Sequence, residues 1–333
     1  MRFVAYTPDL DDVDKILVDG NEAGRGLQLS HWPGNTTPRR LKADLSVEIA
    51  LRFVADPDHN ALVRGREIVT NDHYDTDGLL AAWVVLNPTV AVDHASALIA
   101  AAEAGDFYEF TNPDAVKLDL TIQTFAEPER SPLVTGGPEM SQADLEQRAT
   151  DELLRLLPGL LYDVTGYEEL WRDGYEQTVR RLGWLTDGRV RVREWPQERL
   201  STIESPEILD HFARNLFTSG HRILEAVPQD AGTSYVLYYR ELLWYEIISR
   251  STTPTHVLTG AADRLNELEP AETTGAWVVT RWTPAVLFSA NGPRQTRTVS
   301  YKEPRGASGL PLEMVERVIR DELAQLDRAT RSR

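Results

Sequence analysis

Residues 78–86 read GLLAAWVVL. Wound into a helix, this run is apolar on nearly every side, so it has no face to give to water and belongs in a core. It is too short to span a bilayer, which needs about 20 residues. A helix of this kind requires a sheet and other helices packed around it. Directly before it, in NDHYDTD, stand Asp72, His73, Asp75 and Asp77. The most apolar segment of the chain therefore begins at one of its most crowded groups of acids.

The neighbouring segments give that helix its surroundings. GLQLSHW (26–32) reads as a strand ending in polar residues, and PGNTTP as a turn. The stretch from Pro38 to Val54 has helical spacing, and ADPDHN ends it with proline and aspartates. EIVTN (67–71) is a short strand. Asn87-Pro88 restarts the chain as a cap and a first helical residue, and Ala91, Ala95, Leu98 and Ala102 recur at helical spacing. The spacing favours one helix over 88–104 against a strand ending at Asp93-His94. Strand, helix, strand, helix in sequence predicts an α/β fold, a parallel sheet with flanking helices. Ligands of such sheets lie beyond the carboxyl ends of the strands, where Ser30-His31 and residues 71–77 would both fall.

A proline- and glycine-rich stretch, EPERSPLVTGGPEMSQ (127–142), reads as a linker or surface loop. The expected organisation is an α/β domain over 1–125, a linker over 126–145, and an α+β domain over 146–333. In the last part, 143–158, 166–183 and PLEMVERVIRDELAQL read as helices. GRVRVRE, HRILEAV, SYVLYYRELLWYEIIS, HVLTG, AWVVTRW and AVLFSA read as strands.

Hydrophobic residues are 41% of the 333, which suits a globular core. Cysteine is absent, which excludes disulfides and thiolate metal sites. Formal charge is −17, and residues 1–125 hold 10 basic against 20 acidic side chains. That balance disfavours binding to long nucleic acid, which needs a basic surface. A small phosphorylated partner remains compatible if divalent cations stand in the site. The start, MRFVAYTPDLDD, has no basic segment followed by a long apolar one, so a cytoplasmic location is expected.

Like charges this close repel, and burying each costs several kcal/mol unless something compensates. A divalent cation does so directly. One imidazole and two carboxylates in His73-x-Asp75-x-Asp77 suit Mn²⁺, Mg²⁺, Fe²⁺ or Zn²⁺. Gly78 permits a tight turn into the helix, whose dipole favours an anion. An EF-hand starting at His73 would need glutamate at 84, where Val84 stands. A haloacid-dehalogenase-type phosphatase would use Asp75 as nucleophile and Asp77 as acid. Those enzymes usually continue D-x-D-G-T, and here Leu79 follows.

H-x-D-x-D-G-x-x-A-A, read as His73, Asp75, Asp77, Gly78, Ala81 and Ala82, resembles the first motif of the DHH-family phosphoesterases. In that family a strand ends in these residues and an apolar helix follows. The resemblance implies two Mn²⁺-like ions, hydrolysis of phosphoric esters or anhydrides, and His73, Asp75 and Asp77 as metal ligands. It covers about fifteen residues. The namesake Asp-His-His is absent, and Asp93-His94-Ala95 is its nearest approach. The chain is also similar to bacterial proteins with an HFDxDG-like core.

Further candidates are His31, at a strand end beside the cluster, Asp106, just after a helix end, and His94, each a possible additional ligand. Arg189, Arg191 and Arg193 alternate with valines and would share one face of a strand, where they could clamp phosphates. Arg294, Arg297 and Arg305, with Lys302, gather before a small-residue turn into the last helix. Each set has a plainer reading as a solvated turn, helix or sheet face. The function expected is metal-dependent hydrolysis of a small phosphoester or phosphoanhydride between the two domains, with Asp75 and Asp77 as catalytic residues. The alternatives are a non-catalytic metal- or nucleotide-binding regulatory protein and a haloacid-dehalogenase-type phosphatase.

Overall fold

The computed structural model describes residues 1–20, 24–134, 140–271, 273, 275–279, 286–289 and 306–331. The chain forms two units, Met1–Gln177 with Trp244–Ser251, and Thr178–Leu243 with Thr252–Arg333.

The first unit is α/β. Strands β1 (Arg2–Phe3), β2 (Lys15–Val18), β3 (Gly26–Leu29) and β4 (Ile68–Thr70) form a sheet in the order β1-β4-β2-β3. Every neighbouring pair is parallel. All four residues of β2 are buried, as a strand covered on both faces requires. Lys15 tolerates this because its Nζ donates to the carbonyl of Leu10 at 2.6 Å. Helices α1 (Ser46–Ala55), α2 (His59–Val63), α3 (Thr76–Leu86), α4 (Pro88–Ala91), α5 (Ala95–Phe107), α6 (Pro113–Phe125) and α7 (Gln142–Tyr162) follow.

The apolar helix expected from GLLAAWVVL is α3, and all its residues but Leu86 are buried. It packs against α1 and α5. The 88–104 segment is helical, as α4, a 3-10 turn over Val92–His94, and α5.

Two expectations for this part of the chain need correction. The helix expected from Pro38 begins only at Ser46, and 38–45 is turn and extended chain. The start is set at a distance: the N–H groups of Ser46 and Val47 donate to the two carboxylate oxygens of Asp77 at 2.6 and 2.8 Å. The boundary between units also lies beyond the proline- and glycine-rich stretch. Helix α7 buries Leu145, Leu153, Leu157 and Leu160 and belongs to the first unit. Loop composition marked a turn there; the use of an apolar face decides where a unit ends.

Helix α8 (Glu168–Thr186) leads into the second unit, which is α+β. Strands β5 (Arg191–Trp195), β6 (Leu200–Glu204), β7 (Arg222–Gln229), β8 (Gly232–Tyr239), β9 (Ala276–Val279) and β10 (Val286–Ser289) form a sheet in the order β5-β6-β7-β8-β10-β9. Only β6 and β7 pair in parallel. Helices α9 (His211–Phe217), α10 (Thr259–Leu268) and α11 (Leu312–Arg331) complete it. Of the strand expected over SYVLYYRELLWYEIIS only the first part lies in β8, since Glu241–Trp244 is a 3-10 turn, and HVLTG, also expected as a strand, is unpaired chain running into α10. Its Leu258 packs with Leu265, Val315, Ile319 and Leu323 in the core, so an apolar residue served helix packing rather than a sheet. Among the described residues no single helix is long and apolar enough to cross a membrane.

Candidate metal centre

Three neighbouring strands of the parallel sheet deliver polar residues at their carboxyl ends. Asp19 directly follows β2, His31 lies just past β3, and Asn71, Asp72 and His73 follow β4. Asp19 takes a left-handed backbone, φ 50°, which aspartate tolerates better than most residues. Asp75 caps α3, accepting the N–H of Gly78 on Oδ1 at 2.8 Å. Asp77 stands in the first turn of α3, and Asp106 in the last turn of α5.

These side chains form two groups whose ligand atoms lie within 4.8 Å of one another: Asp19, His31, Asp77 and Asp106, and Asp19, His73 and Asp75. Asp19 belongs to both. Its Oδ1 lies 3.2 Å from His31 Nε2 and its Oδ2 3.4 Å from His73 Nε2. His31 Nε2 is also 3.2 Å from Asp106 Oδ2 and 3.7 Å from Asp77 Oδ2. His73 Nε2 is 2.9 Å from Asp75 Oδ2. The first group is wholly buried, whereas the His73 and Asp75 side chains are 34% and 22% exposed, so solvent reaches the second group only.

Both imidazoles are fixed from behind. His31 Nδ1 lies 2.6 Å from the Asp44 carbonyl oxygen, and His73 Nδ1 lies 2.7 Å from Asp72 Oδ1. A carbonyl or carboxylate oxygen only accepts, so each Nδ1 carries a proton and donates it. That leaves both Nε2 atoms facing the carboxylates, the orientation that outer partners give to metal-binding histidines.

The groups fit a cation by a second criterion. His31 Nε2, Asp19 Oδ2 and Asp106 Oδ2 are buried without a well-formed hydrogen bond. His31 Nε2 and Asp106 Oδ2 lie 3.2 Å apart but lack hydrogen-bond geometry. Buried polar atoms are rarely left so. Nitrogen and oxygen donors in this mixture suit Mn²⁺, Mg²⁺, Fe²⁺ or Zn²⁺.

Electrostatics agree. Burial, then the carboxylates of Asp75 and Asp19, push Asp106 up to about 7 against the nearby imidazole of His31. Burial, Asp106 and Asp19 hold Asp77 well above the usual carboxylate range, opposed by the imidazole of His31. Burial and Asp19 raise Asp75. Asp19 alone is lowered: burial works against this, and the imidazoles of His31 and His73 outweigh it. Burial would lower both imidazoles, but the surrounding carboxylates hold them well above their usual value. With no cation, the centre must gather protons to offset its negative charge; a divalent ion brings the same compensation.

Of the residues singled out in the sequence, His73, Asp75, Asp77, His31 and Asp106 thus converge. His94 joins neither group. It lies half-exposed in the 3-10 turn before α5, because the 88–107 segment is helical and carries it away from any strand end. Arg189 is exposed and pairs with Asp187 at 2.6 Å. Arg191 pairs with Glu204, and Arg193 with Glu316 at 2.9 Å. The alternation holds for Arg191 and Arg193 on β5, but all three guanidinium groups already face carboxylates of their own unit. Arg294, Arg297 and Arg305 lie outside the described residues. The sequence reading missed Asp19. Its signal was present in KILVDG, an apolar run ending in an acid as EIVTND does. It also missed Asp44, and it gave no part in this centre to Tyr245, whose ring stacks on His31 at 4.0 Å between centroids, with 18° between planes.

Residues 1–332 match a family described as a family of unknown function (DUF6687), and the chain belongs to that family. No curated protein and no solved structure shows a significant match to it.

Proposed function

We propose that this DUF6687 member is a metal-dependent hydrolase of small phosphoesters or phosphoanhydrides, with two divalent cations, Mn²⁺ foremost, sharing Asp19. The observation that carries this reading is the Asp19 carboxylate, turned with one oxygen toward His31 and the other toward His73. The DHH-like motif over residues 73–82 supports it. A pair of divalent ions supplies Lewis acidity at a phosphoryl oxygen and lowers the pKa of water.

The chain's own residues divide the remaining work. Asp19, His31, Asp77 and Asp106 hold the buried position, and Asp19, His73 and Asp75 the open one. Substrate enters on the open side, beside His73. There the indole of Trp32 stands edge-on to the His73 ring, 5.6 Å between centroids, and limits access from one flank. Asp75 is the catalytic carboxylate: its Oδ1 is fixed by Gly78, while Oδ2 lies beside His73 at the solvent-reached edge, where it would hold the open ion next to the substrate. Asp77 has both oxygens occupied by the start of α1, so its part is holding a ligand position and not proton transfer. A cytoplasmic location belongs to the same reading.

A second reading, metal binding without hydrolysis, is favoured by the arginines of β5 and the turn before it, each matched to a carboxylate rather than left for phosphates. Chelation followed by Mn²⁺ addition, assayed on a phosphoester and phosphoanhydride panel, separates the two. Hydrolysis restored by Mn²⁺ and lost in Asp75→Asn supports the enzyme. Two bound ions with no turnover of any substrate favours binding alone.

A further inference from the structure

The segment Trp244–Ser251 belongs to the first unit, although the chain on both sides of it belongs to the second. Eight residues are thus inserted among elements far away in sequence, and their bonds concentrate around one ligand, His31. The N–H of Glu246 donates to the His31 carbonyl at 2.7 Å. The Tyr245 ring lies flat on the His31 ring and meets Trp32 edge-on, with centroids 5.1 Å apart. Asp44, whose carbonyl fixes His31 Nδ1, accepts on its carboxylate the N–H groups of Ile248 and Ser249 at 2.6 and 2.8 Å and the Ser249 hydroxyl at 2.6 Å. Arg250 lies 3.4 Å from the same carboxylate, pairs with Glu103 and with Glu109 at 2.6 Å, and stands over the ring of Phe107. Glu103 is on α5, which carries Asp106.

The segment therefore touches the buried group from three directions. It reaches His31 directly, the anchor of His31 through Asp44, and the helix of Asp106 through Arg250. Toward the second group its link is indirect: the Tyr245 ring meets Trp32, whose indole stands edge-on to the His73 ring. Resting on the two-cation reading, we propose that Trp244–Ser251 is a positioning strap that acts first on the buried cation site, with Arg250 and Tyr245 as positioning residues. A strap of this kind fixes the imidazole's direction before a cation arrives, so no ordering is needed at binding. It also makes one of the two sites depend on a piece of chain about 140 residues beyond Asp106.

Co²⁺ titration of the full chain, followed by visible absorption, tests this without any substrate. The wild type should show two binding phases, and Asp75→Asn should remove one, identifying the open site. In Arg250→Gln and in Tyr245→Leu, the remaining buried-site phase should weaken about 10–100-fold, the effect typical of losing an outer partner of a metal ligand. The open-site phase should shift much less, since the segment's link to His73 runs through Trp32. Arg250→Lys and Tyr245→Phe, which retain the charge and the ring, should recover most of the loss. Ser249→Ala, which loses a single bond to Asp44, should weaken the same phase by less. The inference is overturned if both phases keep their midpoints in Arg250→Gln and Tyr245→Leu. It is equally overturned if both phases weaken together while the melting temperature falls, which would make the segment a general stabiliser. Fewer than two phases in the wild type would overturn the two-cation reading itself, and this inference with it.

Discussion

His31 directs Nδ1 at the carbonyl oxygen of Asp44, 2.6 Å away, and so is left with Nε2 facing inward. That bond joins a turn of the main chain to the buried end of a cluster of acids, and it makes His31 the axis of the buried site. Replacing His31 by glutamine should reduce bound Mn²⁺ from two equivalents to one and lower hydrolysis about 100-fold or more. Elemental analysis and a steady-state assay on the same preparation check this. Two retained equivalents would show that His31 is a structural histidine.

Asp72 should act on the other side. Its Oδ1 fixes His73 Nδ1 at 2.7 Å. Asp72→Ala removes that acceptor, and the open-site affinity should fall about 10–100-fold while the buried site keeps its own. Calorimetric titration with Mn²⁺ resolves the two.

The tight entry to α3 is sensitive to a single methyl group. A Cβ on Gly78 would lie 1.9 Å from Asn71 Nδ2 and 2.9 Å from Asp75 Oδ1. Gly78→Ala should therefore cost about 1–3 kcal/mol of stability, read by urea denaturation of the metal-free protein. It should also weaken the open site through Asp75. A neutral substitution would mean that the Asn71 side chain swings away freely.

Stability should depend on pH in opposite senses with and without metal. In the metal-free chain Asp106 titrates near 7, and Asp75 and Asp77 are also raised. A raised carboxyl favours the folded state while it keeps its proton, so its contribution is lost as pH climbs from about 4 through its folded value. The raised imidazoles of His31 and His73 contribute fully below about pH 6.5 and less above it. Asp19, lowered, contributes at all pH above about 4 and loses this only in acid. From about pH 5 to about pH 8 the sum falls, so the melting temperature of the chelated protein should drop across that range. With saturating Mn²⁺ it should rise instead, because binding releases those protons. Parallel trends in the two samples would contradict the account.

Sequence made some of this legible and hid the rest for a physical reason. His73, Asp75 and Asp77 lie within five residues and announce their charge problem together. The α3 run was readable because a helix apolar on all sides has only one place to go. His31 and Asp106 could be named from their places beside a strand end and a helix end, but Asp19, Asp44 and Tyr245 join them only when strands, a helix end and the Trp244–Ser251 segment are brought together, and no local periodicity encodes that. The start of α1 was hidden in the same way: the carboxylate that satisfies its N–H groups is Asp77, some thirty residues later. The Pro38–Leu45 stretch had helical spacing, and a distant cap overrode it. His94 had the right side chain and the wrong geometry, since the helix over 88–107 keeps it apart from both groups.

Anomalous diffraction from crystals of the full chain grown with Mn²⁺ tests the shared carboxylate most directly. The account predicts two peaks, one beside His31, Asp77 and Asp106 and one beside His73 and Asp75, with an oxygen of Asp19 coordinating each. Absence of peaks at saturating Mn²⁺, or a single ion that Asp19 does not touch, would contradict it.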